Sequence, residues 1–390
     1  MKIKLKHLLL VPTMLMTFIN LNAQTAPPVG TPCITMTVTY GATVKIRMLA
    51  AATNTPVWVE STAGNYTSVK VNTGWTGDLN CTTTGTCIKV HGNLTGFDCC
   101  ENSPKLMGLD LSNHIALKEL RCEKNSLKSL DVSGCTTLTK LNCSFNSLTS
   151  LNINSPAALK ELDCSINSLT NLDVSNYLAL KDLNCSYSII TNLNVSGCTA
   201  LTKLICYGNS LTSLNISNCT ALKMLDCYNN PFSTQALDDI YCQLPNRTGL
   251  SRGRIVPVYG SSPSNLAAVI ATNKSNAINK NWSVQLYDFS GYYSNIPATT
   301  GNYVCGITKS ATDTKISLVD IDIYPNPASD KLSINTSRKV SKVEIYTIKG
   351  KKLITSAHTA DIDISSLNGG LYLVKIHTDK GRGEYKIIKQ

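Results

Sequence analysis

A period of 21 residues dominates the middle of this 390-residue chain. Leucine recurs at this interval without a slip, and cysteine keeps the same register two places later. The residues in question are Leu120, Leu141, Leu162, Leu183, Leu204 and Leu225, with Cys122, Cys143, Cys164, Cys185, Cys206 and Cys227. Such regularity is typical of a solenoid, in which each unit buries its apolar face only against its neighbours.

Each fixed position of the repeat has a physical role. A Leu and a Cys two places apart point to the same face of a short strand, so both should face the interior. An Asn three places after the Cys marks a bend, where its amide can pair with backbone groups of adjacent coils. This Asn is absent only from the coil that carries Ser188, which we expect to be looser; the others are Asn125, Asn146, Asn167, Asn209 and Asn230.

The repeat also contains its own pattern twice. Leu130-Asp-Val132-Ser-Gly-Cys135-Thr-Thr-Leu138 is a second, shorter copy, and Cys198 and Cys219 continue its cysteine row with gaps. Each coil therefore consists of two half-turns of about ten residues. We expect two parallel sheets, one for each half-turn, with neighbouring coils about 4.8 Å apart.

These motifs resemble the leucine-rich-repeat family, whose strand segment is L-x-x-L-x-L-x-x-N/C-x-L. Leu138-Thr-Lys-Leu141-Asn-Cys143-Ser-Phe-Asn146-Ser-Leu148 matches it with Cys in the third apolar place. The resemblance covers residues 97–232 and is closest to the nested 21-residue repeats of bacteria. It implies a solenoid of parallel strands.

The chain has 16 cysteines, and their positions predict two kinds of environment. For the ladder we favour buried free thiols, because the side chains of in-register parallel neighbours run side by side and form disulfides poorly. A straight row also cannot converge on a metal ion. Disulfides remain open for the cysteines of the flanks, with Cys81–Cys87 and Cys242–Cys305 as candidate pairs among Cys33, Cys81, Cys87, Cys99, Cys100, Cys242 and Cys305.

The segments beside the repeat predict export and two caps. Residues 1–23 have a lysine-rich start, an apolar run and a small residue at Ala23, as in a cleaved signal peptide. Residues 24–96 alternate like strands and predict a β-rich N-terminal cap, since the ends of a solenoid need covering. Residues 233–310 predict an α-containing C-terminal cap with a helix capped by Ser233 and a second helix over 265–278.

A new alternation begins near Leu318 and predicts a separate β-sandwich over residues 311–390. The pattern as a whole predicts a mainly β protein: a repeat solenoid between two caps, followed by this sandwich. Its apolar pairs are Ile321/Ile323, Leu332/Ile334, Val343/Ile345, Ile362/Ile364, Val374/Ile376 and Tyr385/Ile387, with turns at Pro325-Asn-Pro327, Lys349-Gly350 and Asn368-Gly369-Gly370.

This last segment also resembles a known family. Tyr324-Pro-Asn-Pro-Ala-Ser-Asp, Ile345-Tyr-Thr-Ile-Lys-Gly and Leu367-Asn-Gly-Gly-Leu-Tyr look like the type A C-terminal sorting domain of the type IX secretion system of Bacteroidota. The resemblance implies passage across the outer membrane through that machinery, followed by removal of the domain and either release or attachment to surface lipopolysaccharide. An ordinary interaction sandwich is the alternative, and the basic run from Lys349 to Lys352 is most simply a solvated hairpin turn.

Charge and composition exclude several classes of function. The formal net charge is +11, but three lysines lie in the leader and the repeat region is nearly balanced, so the excess forms no stripe for nucleic acid. No later segment approaches the roughly 18 apolar residues that a membrane helix needs. The five histidines are scattered, and the motifs of hydrolases, zinc proteases and nucleotide-binding proteins are absent from the sequence. We therefore expect no enzymatic activity, no cofactor and no metal site.

A binding surface is the remaining expectation, because solenoids present a long preorganised face. Large side chains recur beside the first strand of successive coils, and exposed aromatic residues in a row favour contact with a partner. The candidate ligand-binding residues are Phe145, Ile166, Tyr187, Tyr207 and Tyr228. The alternative, that these side chains merely pack along the edge of the coils, stays open.

The sequence thus predicts a secreted or outer-membrane surface-attached protein that binds a protein or a glycan. The small polar residues beside the second strand either suit glycans or stay solvated, and we favour solvation. The runner-up is a passive structural protein of the envelope or of a biofilm, without a specific ligand.

Overall fold

The computed structural model describes residues 26–153, 158–260, 263–288, 291–296, 298–305, 308–309, 314–315, 321–324, 328–336, 339–347, 351–379 and 381–389. The predicted leader, residues 1–23, lies outside these ranges. The chain divides into two compact units, residues 1–210 and 211–390. None of the helices in the described residues has both the length and the apolar character that a membrane crossing requires.

The first unit begins with antiparallel strands, which confirms the β-rich character predicted for this segment. One sheet has the order β4-β3-β6-β1-β8, while β2 lies between β5 and β7. The strands are β1 Cys33–Val38, β2 Thr43–Ala50, β3 Thr55–Thr62, β4 Asn65–Val71, β5 Leu79–Thr82, β6 Cys87–His91, β7 Leu94–Asp98 and β8 Leu106–Asp110. Alternate residues such as Ile34, Met36, Ile46 and Met48 are fully buried, as the period of a strand requires.

The first half-turns of the coils form one parallel sheet in register. β7 pairs with β9, and the pairing continues through β11, β13 and β15 to β17, with each leucine opposite the next. These strands are β9 Glu119–Arg121, β11 Lys140–Asn142, β13 Glu161–Asp163, β15 Asp182–Asn184 and β17 Lys203–Ile205. The leucines and ladder cysteines are at most 2% exposed, and the ladder thiols are free, which confirms the dry interior.

The repeated asparagine joins neighbouring coils as predicted. Asn146 donates through Nδ2 to the carbonyl oxygens of Cys122 (2.9 Å) and Cys143 (3.1 Å), and its Oδ1 accepts from the N–H of Leu127 (3.0 Å). One side chain thus satisfies backbone groups of two coils that would otherwise be buried without partners. Asn125, Asn167 and Asn209 repeat the pattern.

The second half-turns do not form the continuous sheet that we expected. Among the described residues, β10 pairs with β12 and β14 with β16, as two separate parallel pairs. These strands are β10 Ser129–Asp131, β12 Ser150–Asn152, β14 Asn171–Asp173 and β16 Asn192–Asn194. Tyr177 stands where other coils have a cysteine, and its hydroxyl donates to the carbonyl oxygen of Ile153, so a large ring lies between the two pairs.

The second unit continues with parallel strands and a helical layer. β18 Met224–Asp226, β19 Gly253–Tyr259 and β20 Trp282–Tyr287 pair in parallel, and β21 Tyr293–Asn295 adds antiparallel. Helix α1, Thr234–Gln243, begins as predicted at Ser233, whose side chain accepts from the N–H of Ala236 (3.1 Å). The single helix predicted over 265–278 is wrong.

Two short helices replace it, α2 Pro263–Ile270 and α3 Ser275–Ile278. Asn273 lies between them, where its N–H donates to Asp238 Oδ1 (2.9 Å) and its own Oδ1 accepts from the N–H of Ser275 (3.2 Å). Such local bonds compete with helix hydrogen bonds and end α2. The predicted Cys242–Cys305 disulfide is present, whereas the Cys81–Cys87 pair is wrong because both thiols are free.

Residues beyond 307 form the predicted sandwich of two sheets. The six-stranded sheet has the order β22-β23-β30-β29-β26-β27, and the other has the order β24-β25-β28. The strands are β22 Thr308–Lys309, β23 Thr314–Lys315, β24 Ile321–Tyr324, β25 Lys331–Thr336, β26 Val340–Thr347, β27 Lys352–Ser356, β28 Ile362–Asp363, β29 Gly370–Thr378 and β30 Gly381–Lys389. Leu332, Val343, Ile345, Val374 and Ile387 fill the core. The predicted turns at 325–327 and 349–350 lie outside the described residues.

Candidate binding surface of the repeat region

The outward side of the first-half-turn sheet carries a shallow groove of about 420 Å³. Each short strand exposes the residue before its buried leucine and the residue after it, because side chains alternate along a strand. The residues before the leucines are Glu119, Lys140, Glu161, Asp182 and Lys203, and those after them are Arg121, Asn142, Asp163, Asn184 and Ile205. The groove is therefore a polar surface with two columns that differ from coil to coil.

Part of this charge is neutralised inside the groove. Arg121 bonds Glu119 at 2.6 Å, and Lys140 bonds Glu161 at 2.9 Å. Both ion pairs are accessible to water, so each contributes at most about 1 kcal/mol to stability. They restrict the side chains of the groove but contribute little to holding the fold.

Turns at the end of each strand fix the second column. The side-chain oxygen Oδ1 of Asp163 accepts from the N–H (3.0 Å) and the hydroxyl (2.6 Å) of Ser165, and Asn142 and Asn184 bind the serines two places later in the same way. Ser144, Ser165 and Ser186 are buried in these turns. The serine position, two residues after this column, is therefore buried and adds nothing to the exposed surface.

The next position forms an exposed ridge along the coils. Lys124, Phe145, Ile166 and Tyr187 all have left-handed backbone conformations, with φ between 50° and 55°. Phe145 is 49% and Tyr187 is 53% exposed, while Ile166 is half-buried. Gly208 follows at φ 67°, and a Cβ there would lie 2.8 Å from the Tyr187 ring, so the glycine lets this ring lie across the next coil.

The five predicted contact residues do not form one row. Phe145, Ile166 and Tyr187 lie on the ridge, whereas Tyr207 occupies the position of the buried serines. Tyr207 is half-buried and meets Tyr187 edge to face, with 5.0 Å between ring centroids. Four of the five predicted contact residues, the three ridge residues and Tyr207, therefore lie in the first unit.

Tyr228 was expected to be exposed, and that expectation is wrong. It is 7% exposed and belongs to the second unit, where its ring stacks on Tyr259 (5.7 Å) and Tyr287 (5.8 Å). Tyr293 extends this tyrosine cluster, with the guanidinium of Arg254 3.9 Å from its centroid. The faces of these rings are occupied by one another and by the arginine, so the cluster packs this end of the sheet.

The groove and the position of Trp75 are not evident from the sequence pattern. The sequence does show a polar residue before the leucines of successive repeats. These residues indicate only that the charges of the repeat region nearly balance, and not that they line a groove. Trp75 comes from the non-repeating cap and packs over Gly96. The guanidinium carbon of Arg121 lies 5.0 Å from the centroid of its ring. No repeat signals such a residue, because its position depends on how the cap folds over the first coil.

The described residues of this region include several buried thiols, among them Cys143 and Cys164. Within these residues, no three of His, Cys, Asp and Glu are grouped so that they could hold a metal ion. Burial raises the pKa of the Cys143 and Cys164 thiols well above the ordinary value, so they stay protonated and unreactive.

Comparison with known protein families identifies the C-terminal segment of the chain. Residues 322–390 match the family described as the secretion system C-terminal sorting domain. No curated protein matches the chain at a significant level.

Three solved structures of Listeria monocytogenes proteins are similar. The functional domain of InlJ, described as including a cysteine ladder, has 18% identity and a TM-score of 0.27 over 76% of this chain and 67% of its own. The internalin-like protein lmo2027 has 16% identity and a TM-score of 0.28, over 72% and 74%. InlP has 17% identity and a TM-score of 0.24, over 72% and 76%. This chain combines a parallel β-solenoid of 21-residue coils with a secretion system C-terminal sorting domain over residues 322–390, and it is exported by the type IX secretion system to the cell surface or beyond.

Proposed function

We propose that the chain is a non-enzymatic binding protein that contacts a protein or a glycan on the cell surface or outside the cell. The ridge of Phe145, Ile166 and Tyr187 and the neighbouring groove supply its contact surface. The same coils place apolar side chains at the ridge and polar ones in the groove, and interfaces commonly combine an apolar centre with a polar rim. This arrangement supports binding as the main role of the repeat region.

The backbone of the ridge is the observation that carries the proposal. A non-glycine residue in the left-handed region costs roughly 1–2 kcal/mol, and the cost is greatest for bulky or β-branched side chains. Gly208 and Asn229 fill the same position of later repeats with residue types that tolerate it, at φ 67° and 53°. The coil therefore does not require Phe145, Ile166 or Tyr187. Because Phe145 and Tyr187 are also about half exposed, burial does not repay their strain.

The test replaces the two exposed rings with a residue that suits the backbone. In the full-length double variant Phe145→Asn/Tyr187→Asn, we expect the free energy of unfolding to stay within about 1 kcal/mol of the original value, because relief of strain offsets lost packing. Labelled protein would be applied to a printed glycan array and to immobilised collagen and fibronectin. We expect the double variant to lose at least about tenfold in affinity for the component that the original chain binds.

Leu178→Ser is the matched control, because Leu178 is 63% exposed in a second half-turn. It should bind like the original chain. Binding that survives in the double variant, or an original chain that binds no component of either panel, would contradict the proposal and favour a passive structural role.

A further inference from the structure

Three adjacent strands of the six-stranded sheet in the sorting domain carry a group of basic side chains on their outer face. Strands β26, β27 and β29 carry three lysines and one histidine against one glutamate: Lys342, Lys352, Lys375, His377 and Glu344. Their neighbours Val343, Ile345, Val374 and Ile376 point into the core, so the charged residues share the opposite face. Lys352 ends the basic run that the sequence pattern assigns to a solvated turn, and in the structure it belongs to this cluster.

Glu344 organises the cluster. Its Oε1 lies 3.2 Å from Lys342 Nζ and 3.3 Å from Lys352 Nζ, and its Oε2 lies 2.9 Å from His377 Nε2. The Tyr346 hydroxyl donates to Oε2 at 3.2 Å. Burial alone would raise the pKa of this carboxyl, but the hydrogen bonds from His377, Lys342, Lys352 and Tyr346 outweigh it and lower the pKa to about 2. Glu344 is therefore ionised at neutral pH and holds the cations in place.

One carboxylate does not neutralise the two lysines that bond it. Lys342 and Lys352 both lie within 3.3 Å of Glu344 and remain 45% and 53% exposed. Lys375 lies 4.8 Å from the ring centroid of Tyr346, which adds an aromatic element beside the cations.

We infer that this face docks an acidic protein surface. The donors already hold one carboxylate with charge-assisted hydrogen bonds, which is the chemistry that aspartate and glutamate side chains of a partner would meet. Adjacent strands lie about 4.8 Å apart, so cations on three strands spread over roughly 10 Å. That spread matches several carboxylates in a row better than one phosphate group. The docking surface is separate from the repeat region, so it neither needs nor supports the contact surface proposed there.

The experiment measures binding of a fluorescein-labelled decaglutamate peptide to the full chain by fluorescence anisotropy. We expect binding that weakens as salt is raised, and an affinity about fivefold lower or more in Lys342→Gln/Lys352→Gln. Lys331→Gln is the control, because Lys331 is 66% exposed on the other sheet and pairs with Asp361. Equal affinity of the double variant and the original chain would overturn the inference.

Glu344→Gln separates docking from a merely structural role. It removes the competing negative charge while keeping the shape of the side chain, so the peptide should bind more tightly, by about threefold. A structural role alone predicts lower stability with unchanged or weaker peptide binding, and that result would overturn the inference. Vesicles that contain phosphatidic acid form a second arm. Stronger lysine-dependent binding to these vesicles than to the peptide would overturn the choice of an acidic protein in favour of a phosphate group.

Discussion

The two half-turns of each coil have nearly the same sequence pattern but different order. In the first, a Leu, a Cys and an Asn recur in every coil with one exception, and the strands from β7 to β17 form one sheet. In the second, the described strands pair only two by two. The place three residues after the inner strand residue holds Asn in the first half-turn. In the second half-turn it holds side chains of different size, namely His114, Cys135, Pro156, Tyr177, Cys198 and Cys219.

The repeat period and the uniformity of the inner side chains therefore have separate effects on the sheets. The 21-residue period sets the spacing of the coils in both half-turns, but a continuous sheet also needs inner side chains of one size, because cores are close-packed. Tyr177 places a large ring where Cys135 and Cys198 lie in other coils, and its hydroxyl bonds the backbone next to β12. Substitutions that exchange the features of the two rows can therefore test this explanation.

The largest effect is expected from a cavity in the uniform row. Leu162 is 2% exposed, and its strand is paired on both sides. Leu162→Ala should lower the free energy of unfolding by about 3–5 kcal/mol, since neighbours locked in register relax little around the cavity. Leu172 is 4% exposed in β14, which has one described partner strand, so Leu172→Ala should cost nearer to about 2 kcal/mol. Urea unfolding of both variants gives the comparison, and equal losses would show that strand pairing does not matter.

The histidine of the second row should make stability depend on pH. His114 is 1% exposed, and burial lowers its pKa to about 4 from an ordinary 6.5. The folded chain keeps it neutral while the unfolded chain protonates it below pH 6.5, so stability is full above that pH and falls as the pH drops towards 4. The loss between pH 7 and 4.5 should be about 2–3 kcal/mol.

His114→Cys installs the residue found at the equivalent positions 135, 198 and 219, and it serves as the comparison. In this variant the free energy of unfolding should not show the fall between pH 7 and 4.5 that His114 causes. Urea midpoints at both pH values provide the measurement. Parallel pH profiles for the two chains would show that His114 is solvated and that the second row is more open than described.

The asparagine of the first row has a smaller expected effect. Asn146→Ala removes bonds to the backbone of two coils and leaves those groups buried, so the unfolding free energy should fall by about 2 kcal/mol. Asn152, on the outer face of the second half-turn, bonds Asp131 at 3.1 Å in contact with water, and Asn152→Ala should cost under about 0.5 kcal/mol. Thermal and urea unfolding would compare the two variants. Similar losses would remove the distinction between the buried ladder and the outer face.

The same residues show what the sequence could reveal. The first row, its buried thiols and its asparagines were predictable because a periodic pattern determines which face each residue occupies. The ridge residues Phe145, Ile166 and Tyr187 were found, but their left-handed backbone was not, since the strand pattern carries no sign of it. The burial of Tyr228 depends on Tyr259 and Tyr287, which come from strands outside the repeat. Contacts made only by tertiary folding, including that of Trp75 with Gly96, leave no local pattern.

The gap in the asparagine ladder offers the smallest change and a gain of stability. Ser188 replaces the asparagine, and its hydroxyl is buried without a hydrogen-bond partner among the described residues. An asparagine there could donate to the carbonyl oxygens of Cys164 and Cys185, as Asn209 does to Cys185 (2.9 Å) and Cys206 (3.1 Å) in the next coil. Ser188→Asn should therefore raise the unfolding free energy by about 1 kcal/mol.

Ser147→Asn is the matched control for this gain, because Ser147 lies one place after a ladder asparagine and is exposed to water. It should change stability by less than about 0.5 kcal/mol. A loss in Ser188→Asn would mean that the coil has closed around the smaller serine. The first half-turn would then resemble the second in having an inner position of altered size at this coil. Its sheet would nevertheless remain continuous from β7 to β17.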